Sequence, residues 1–209
     1  MKNLHFSWYG LLALFLLSAC VSLDKNRGAD LSDLKKIYVP DLKMAIKVPP
    51  QFKLHRGLTL FQETLKELEA KGIDEYFQET VRRQFANLPE GAFLLLDTLS
   101  PNSSMLVFPI EEFVPVNIES AHLVGKSILQ QASLQLSGTG MKARISNVSM
   151  GKRNGFDYIR YEIEIDRPSG GMLFDDSYIL SREGRSIALK IIAPRSAGYD
   201  RLLDGVRLY

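Results

Sequence analysis

Between Phe156 and Arg167 the chain alternates with a period of two, placing Ile159, Tyr161, Ile163 and Ile165 on one side and Arg160, Glu162, Glu164 and Asp166 on the other. That period excludes a helix here and predicts a strand with one buried and one solvated face. Ile145 to Ser149 reads as a strand before it; Leu173 to Arg182 and Ser186 to Ala193, linked by Glu183-Gly184, read as strands after it. The last third is therefore expected to be an antiparallel meander. Its apolar face needs a cover. Glu119 to Leu136 supplies one, an amphipathic helix with Val124, Ile128, Ala132 and Leu136 at steps of four, ending at Ser137-Gly138.

Upstream, Ile37 to Val48 reads as a strand in which Met44, Ile46 and Val48 alternate with Ala45 and Lys47, stopped by Pro49-Pro50. Two helical stretches follow: Phe61, Leu65 and Leu68 share one face before Gly72, and Tyr76, Phe77, Val81 and Phe85 share another before Pro89. Ala92 to Leu99 and Ser104 to Ile110 read as a hairpin around Ser100-Pro101-Asn102-Ser103, and a short segment from Tyr199 closes the chain. This order predicts an α+β fold, an antiparallel β-sheet packed against helices. The long helix feeds strands patterned Gly155-Phe156-Asp157-Tyr158, Asp175-Asp176-Ser177-Tyr178-Ile179-Leu180 and Gly184-Arg185-Ser186-Ile187-Ala188-Leu189, followed by a break at Pro194 and a final helix. Over roughly Met105 to Tyr209 this pattern resembles the PsbP, Mog1 and DcrB group of proteins. The resemblance implies an α/β/α sandwich, and a non-catalytic assembly or binding module, often on membranes.

The first residues read as an export leader: Lys2 gives the charge, Phe6 to Leu17 the apolar core, and Ser18 and Ala19 the small-residue exit before Cys20. Leu17-Ser18-Ala19-Cys20 resembles the bacterial lipobox, which implies cleavage before Cys20, a lipid on its thiol, and acyl chains that hold the protein at a membrane. The alternatives are a plain signal peptide or an uncleaved anchor, since no Asp, Glu, Lys or Arg falls between Lys2 and Asp24 and about 20 uncharged residues could span a bilayer. By resemblance to the enteric sorting rule, Val21 in place of Asp after the cysteine favours the outer over the inner membrane. The expected organisation is a leader over 1–19, a tether over 20–33 and a single domain over 34–209 in the cell envelope.

Loss of Lys2 with the leader lowers the basic count from 26 to 25 against 24 acidic residues, a net charge of about +1. A nucleic-acid partner has no electrostatic support in such a balance. Cys20 is the only cysteine, so with its thiol lipidated the mature chain has no disulfide, thiol nucleophile or cysteine metal site. No cofactor is expected.

Fragments that look chemical do not carry chemistry. Gly125-Lys126-Ser127 imitates the end of a phosphate loop but lies within the long helix, with Ser120 where the pattern needs glycine. Gly138-Thr139-Gly140 lacks the third glycine of a dinucleotide loop, and no Gly-x-Ser-x-Gly elbow occurs. His5 leaves with the leader, so an envelope hydrolase would have to use His55 or His122. Glu162, Glu164 and Asp166 share a strand face and offer oxygen ligands for calcium, but they diverge along an open surface with Arg160 in the same row; Asp175 and Asp176 point to opposite faces. No catalytic or metal residue is assigned. The candidate partner surface is Glu111, Glu112, Phe113 and Val114, in the run Phe108 to Val116 that two prolines keep irregular. The expected function is a lipid-anchored, non-catalytic binding or assembly module with an envelope protein as partner; the alternatives are the hydrolase and a carrier of a small apolar ligand, the latter raised by the abundance of Phe and Tyr.

Overall fold

In the computed structural model, Pro40 divides the first expected strand in two. Lys35–Val39 forms β1, Pro40–Leu42 a 3-10 turn that ends at Lys43 with φ 42°, and Met44–Val48 returns antiparallel to it as β2. Proline has no N–H for a ladder and its fixed φ starts a turn, so the strand cannot run through. The structure describes residues 34–56, 66, 91–97, 104–137, 140–166, 172–193 and 200–209. Leu17 to Cys20, the tether, both helical stretches between Phe61 and Asn87, the Ser100 to Ser103 turn and Pro194 lie outside the described residues.

The next strands are β3 (Phe52–Arg56), β4 (Phe93–Asp97) and β5 (Ser104–Ile110). Helix α1 (Ile118–Gln135) follows, its first turn capped by the Asn117 side chain, which accepts from Ser120 N at 2.8 Å. Then come β6 (Lys142–Arg153), β7 (Phe156–Asp166), β8 (Met172–Arg182), β9 (Arg185–Ala193), the one-turn helix α2 (Asp200–Asp204) and β10 (Arg207–Leu208). The large sheet has the order β3-β4-β5-β9-β8-β7-β6 and is antiparallel throughout; β10 joins the small sheet β1-β2-β10. Asn154-Gly155 and Glu183-Gly184 close the β6–β7 and β8–β9 hairpins, with φ of 48° and 80°, and 51° and 77°. Positive φ at both central residues is the two-residue turn whose twist suits a hairpin.

Each face of the large sheet carries its own core. On one, Leu106, Phe108, Ile159, Tyr161, Ile163 and Ile165 meet Val124, Ile128 and Ala132 of α1. The approach is close at Gly125, where a Cβ would stand 3.1 Å from the Tyr161 ring, and the Tyr161 hydroxyl donates to Ala121 O at 2.8 Å. The glycine that imitates a phosphate loop is thus a packing glycine. On the other face, Phe156, Tyr178, Leu180, Leu189 and Ile191 meet Val39, Met44, Ile46 and Val48 of the small sheet, with Leu202, Leu203 and Leu208 from the C-terminal segment.

The expected α/β/α sandwich is therefore incorrect. Among the described residues the protein is mostly antiparallel β, and α1 is the only helix longer than one turn. A second sheet occupies the layer where a helix was expected, because the Pro40 turn folds 35–48 into a hairpin with one apolar face. The C-terminal segment completes that sheet: Tyr209 N donates to Lys43 O at 2.9 Å, Arg182 donates to Leu208 O, and Arg185 to Leu42 O at 3.3 Å. Asn154, already shaping its turn, donates to Leu203 O at 2.9 Å and Val206 O at 3.1 Å. The long hairpins of the large sheet thus hold the small one in place.

Candidate functional site

The connection from β5 to α1 crosses the hairpin end of the large sheet. It leaves β5 beside Ser186 of β9, passes Ser181 of β8 and reaches Gly151 and Asp157 of β6 and β7. Two buried serines hold it: Ser186 Oγ accepts from Val114 N at 2.9 Å, Ser181 Oγ–H donates to Val114 O at 2.7 Å, and the two hydroxyl oxygens are 2.9 Å apart. Both polar groups of this irregular peptide are satisfied, so the run is rigid without being helix or strand.

Of the candidate surface residues, Glu111 and Glu112 are exposed and Phe113 is 46% exposed, whereas Val114 is buried at 3% in the core beneath α1. Val114 is therefore an anchor of the loop and not part of its surface. Beside it lies a groove of about 660 Å³ lined by Val116, Asn117, Ile118, Glu119, Met150, Gly151 and Asp157. Ile118 (79% exposed) and Met150 (42%) bring apolar surface to this groove, neither of them singled out by the sequence. Ile118 begins α1, outside its core stripe, and Met150 follows a register shift between Ile145 and Asn147 in the edge strand β6. Glu111, Glu112, Glu119 and Asp157 give this end an acidic rim; Lys152 pairs with Asp157 at 3.4 Å.

The two histidines do not converge. His55 stands on β3, one edge of the large sheet, and His122 is exposed on α1, which packs against β6 at the other edge. Two carboxylates of the row are engaged by cations: Glu164 accepts from Arg144 Nε at 2.8 Å, and Glu162 lies 3.1 Å from both Arg160 and Asn147 nitrogens. Among the described residues no three His, Cys, Asp or Glu side chains are grouped to hold a metal.

Two polar clusters sit inside the sheet, and Asp175 and Asp176 divide between its faces as their neighbouring positions require. Towards α1, Lys190 Nζ lies 2.8 Å from Asp175 Oδ2, and Ser177 Oγ–H donates to Asp175 Oδ1 at 2.8 Å. Burial pushes the Lys190 ammonium below the usual lysine range, and Asp175 opposes that shift. On the other face, Arg160 Nη2 donates to Asp176 at 2.9 Å while its guanidinium lies 5.7 Å from the Tyr178 ring centre. Burial raises Asp176 to about 6; Arg160 opposes this, while Asp175 and Glu162 add to it.

A carboxyl raised in the fold favours the folded state most when protonated, so this contribution is complete below about pH 4 and lost as pH climbs to about 6. The loss amounts to at most about 3 kcal/mol. Urea unfolding at pH 4 and pH 7 checks it: Asp176→Asn is expected to remove a fall in stability across this range that the unaltered chain shows.

No protein-family model matches the chain, nor does any curated protein. Solved structures do. The solution structure of cyanobacterial PsbP (CyanoP) from Synechocystis sp. PCC 6803 aligns with a TM-score of 0.56 at 11% identity, covering 90% of this chain and 99% of that one. The fold is PsbP-like. A crystal structure from Bacteroides thetaiotaomicron VPI-5482 aligns with a TM-score of 0.45 at 10% identity, over 84% of this chain and 48% of that one. At 11% identity the likeness to the cyanobacterial protein concerns the fold alone.

Proposed function

We propose that the protein is a lipid-anchored, non-catalytic module of the cell envelope that binds a partner protein at the hairpin end of its large sheet. The observation that carries this reading is the exposed apolar pair Ile118 and Met150 lining one groove, next to a loop that bears the exposed Phe113 and is fixed by Ser181 and Ser186. Apolar anchors on a rigid support with a charged rim are how partner sites are built. The acidic rim of Glu111, Glu112, Glu119 and Asp157 selects a segment presenting an apolar side chain flanked by lysine or arginine. The leader and Cys20 support an envelope location at a membrane, with the outer membrane favoured by Val21.

Photo-cross-linking in membranes tests the site. A cross-linker at Ile118 is expected to capture one discrete partner, and the same group at Leu134, exposed on the last turn of α1, is expected not to. Phe113→Ala and the pair Glu111→Lys with Glu112→Lys should weaken capture roughly tenfold or more while leaving the melting temperature within about 2 °C. Equal capture from both positions, or capture indifferent to all three substitutions, contradicts the reading. A drop in stability of about 3–5 kcal/mol on Phe113→Ala would instead return that ring to the core.

A further inference from the structure

The outer face of the small sheet is basic and aromatic. Alternation along β1, β2 and β10 turns Val39, Met44, Ile46, Val48 and Leu208 inward, and leaves Lys36, Tyr38, Lys47, Arg207 and Tyr209 exposed on the other side. Lys43, exposed at the turn, extends the set. The segment 35–48 holds four lysines and one carboxylate, Asp41. Lys36, Lys43 and Lys47 form no ion pair with another described residue.

Two details set this face apart from a merely solvated one. Lys36 and Lys47 are direct cross-strand partners, and like charges at that separation work against the sheet unless something anionic lies over them. Tyr38 and Tyr209, 52% and 53% exposed, stand edge to face with ring centres 6.1 Å apart, beside the buried Ala45. A pair of exposed tyrosines among lysines is an amphipathic surface: ring bodies for an apolar boundary, hydroxyls and ammonium groups for its polar side.

We propose that this face is a membrane-contact surface that lies on anionic phospholipid, with Lys36, Lys43, Lys47 and Arg207 on the headgroup phosphates and Tyr38 and Tyr209 at the headgroup level. A negatively charged leaflet attracts clustered cations and takes up tyrosine rings at its interface, which matches this set of side chains. The sheet is also the first described structure after Cys20, which precedes Leu34 by 14 residues, an extended reach of at most roughly 50 Å. A lipid on Cys20 would keep the face close to the bilayer, but the attraction does not depend on that lipid. The two surfaces share no residue: the hairpin-end groove is built on the β5–α1 connection and the β6–β7 hairpin on the α1 side of the large sheet, and the basic face on β1, β2 and β10 over its other side.

The full chain carrying Cys20→Ser tests this, sedimented with vesicles of phosphatidylcholine alone or of equal parts phosphatidylcholine and phosphatidylglycerol. Neutral vesicles report whatever the apolar leader contributes. Binding to the anionic vesicles is expected to be at least tenfold stronger and to weaken with added salt. Each cation is worth about a factor of five, so Lys47→Glu, which replaces a cation by an anion, should reduce the anionic preference roughly 25-fold. That substitution turns the Lys36–Lys47 clash into an ion pair, so its melting temperature should hold or rise and unfolding cannot account for the loss. Equal binding to both vesicle types overturns the proposal. So does an anionic preference untouched by Lys36→Glu and Lys47→Glu, the outcome for a face shaped for an acidic protein instead.

Discussion

Lys190→Met is expected to remove about 3–5 kcal/mol of folding stability, a large share of what holds a single domain together. The cost does not come from losing a favourable bond. Nζ and the Asp175 carboxylate lie 2.8 Å apart with side chains 2% and 0% exposed, and deleting the ammonium leaves an anion in a region from which water is excluded. Replacing both members should be far milder. Lys190→Met with Asp175→Leu is expected to recover most of the loss, because a buried pair exchanged for apolar side chains of similar size is often neutral. Chemical denaturation of the two single variants and the double variant gives the coupling directly, and it should amount to several kcal/mol. Additive losses would mean that the two charges are independently satisfied, contrary to the geometry.

This ion pair also shows what the sequence carried unread. Asp175-Asp176 invites the question of a metal, and their placement on opposite faces answers it, yet the lysine that Asp175 needs was in view. A two-residue turn at Glu183-Gly184 sets Arg182 opposite Arg185 and therefore Ser177 opposite Lys190, one diagonal step from Asp175. Lys190 stands within Ile187-Ala188-Leu189-Lys190-Ile191, a run buried on both faces, where an unpaired lysine is untenable. Counting back from the turn would have paired it. Asn154-Gly155 similarly announces the β6–β7 hairpin.

Of β6 only Ile145 to Ser149 was read, across a register shift; β7 and α1 were legible because their hydrophobic periods run over eleven and eighteen residues, and β8 and β9, buried on both faces, were legible from the Glu183-Gly184 turn between them. The second sheet was not. The alternation at Met44, Ile46 and Val48 was read as part of one strand from Ile37, but Pro40 splits that strand, β10 is only two residues long, and the pairing rests on a C-terminal segment held by Arg182, Arg185 and Asn154 across the fold. The candidate surface was legible in part. Pro115 marks the irregular run, but Phe108, Pro109 and Ile110, expected in it, belong to β5; Phe113 is exposed as a partner anchor must be, whereas Val114 points inward, and the Ser181 and Ser186 hydroxyls that hold its peptide come from strands about 70 residues away. Ile118 and Met150 join the groove through a helix start and a strand irregularity, features with no periodic trace.

The claim most open to a direct test is that the domain is held to a membrane by lipid on Cys20. No other thiol exists in the chain, so Cys20→Ser has no substitute to take the lipid. Two or three acyl chains at about 0.8 kcal/mol per buried methylene would make the tether effectively permanent, but an uncleaved leader on the Cys20→Ser precursor would also hold to a membrane, so labelling and not resistance to salt and carbonate washes separates the two. The contact of the basic face is reversible and salt-sensitive, so it cannot replace the acyl chains under those washes. The measurement is incorporation of labelled fatty acid in cells producing the unaltered chain or Cys20→Ser. Label on a processed form of the unaltered chain, with none on a larger Cys20→Ser precursor, is the predicted result; equal labelling of both, or label on neither, would contradict it.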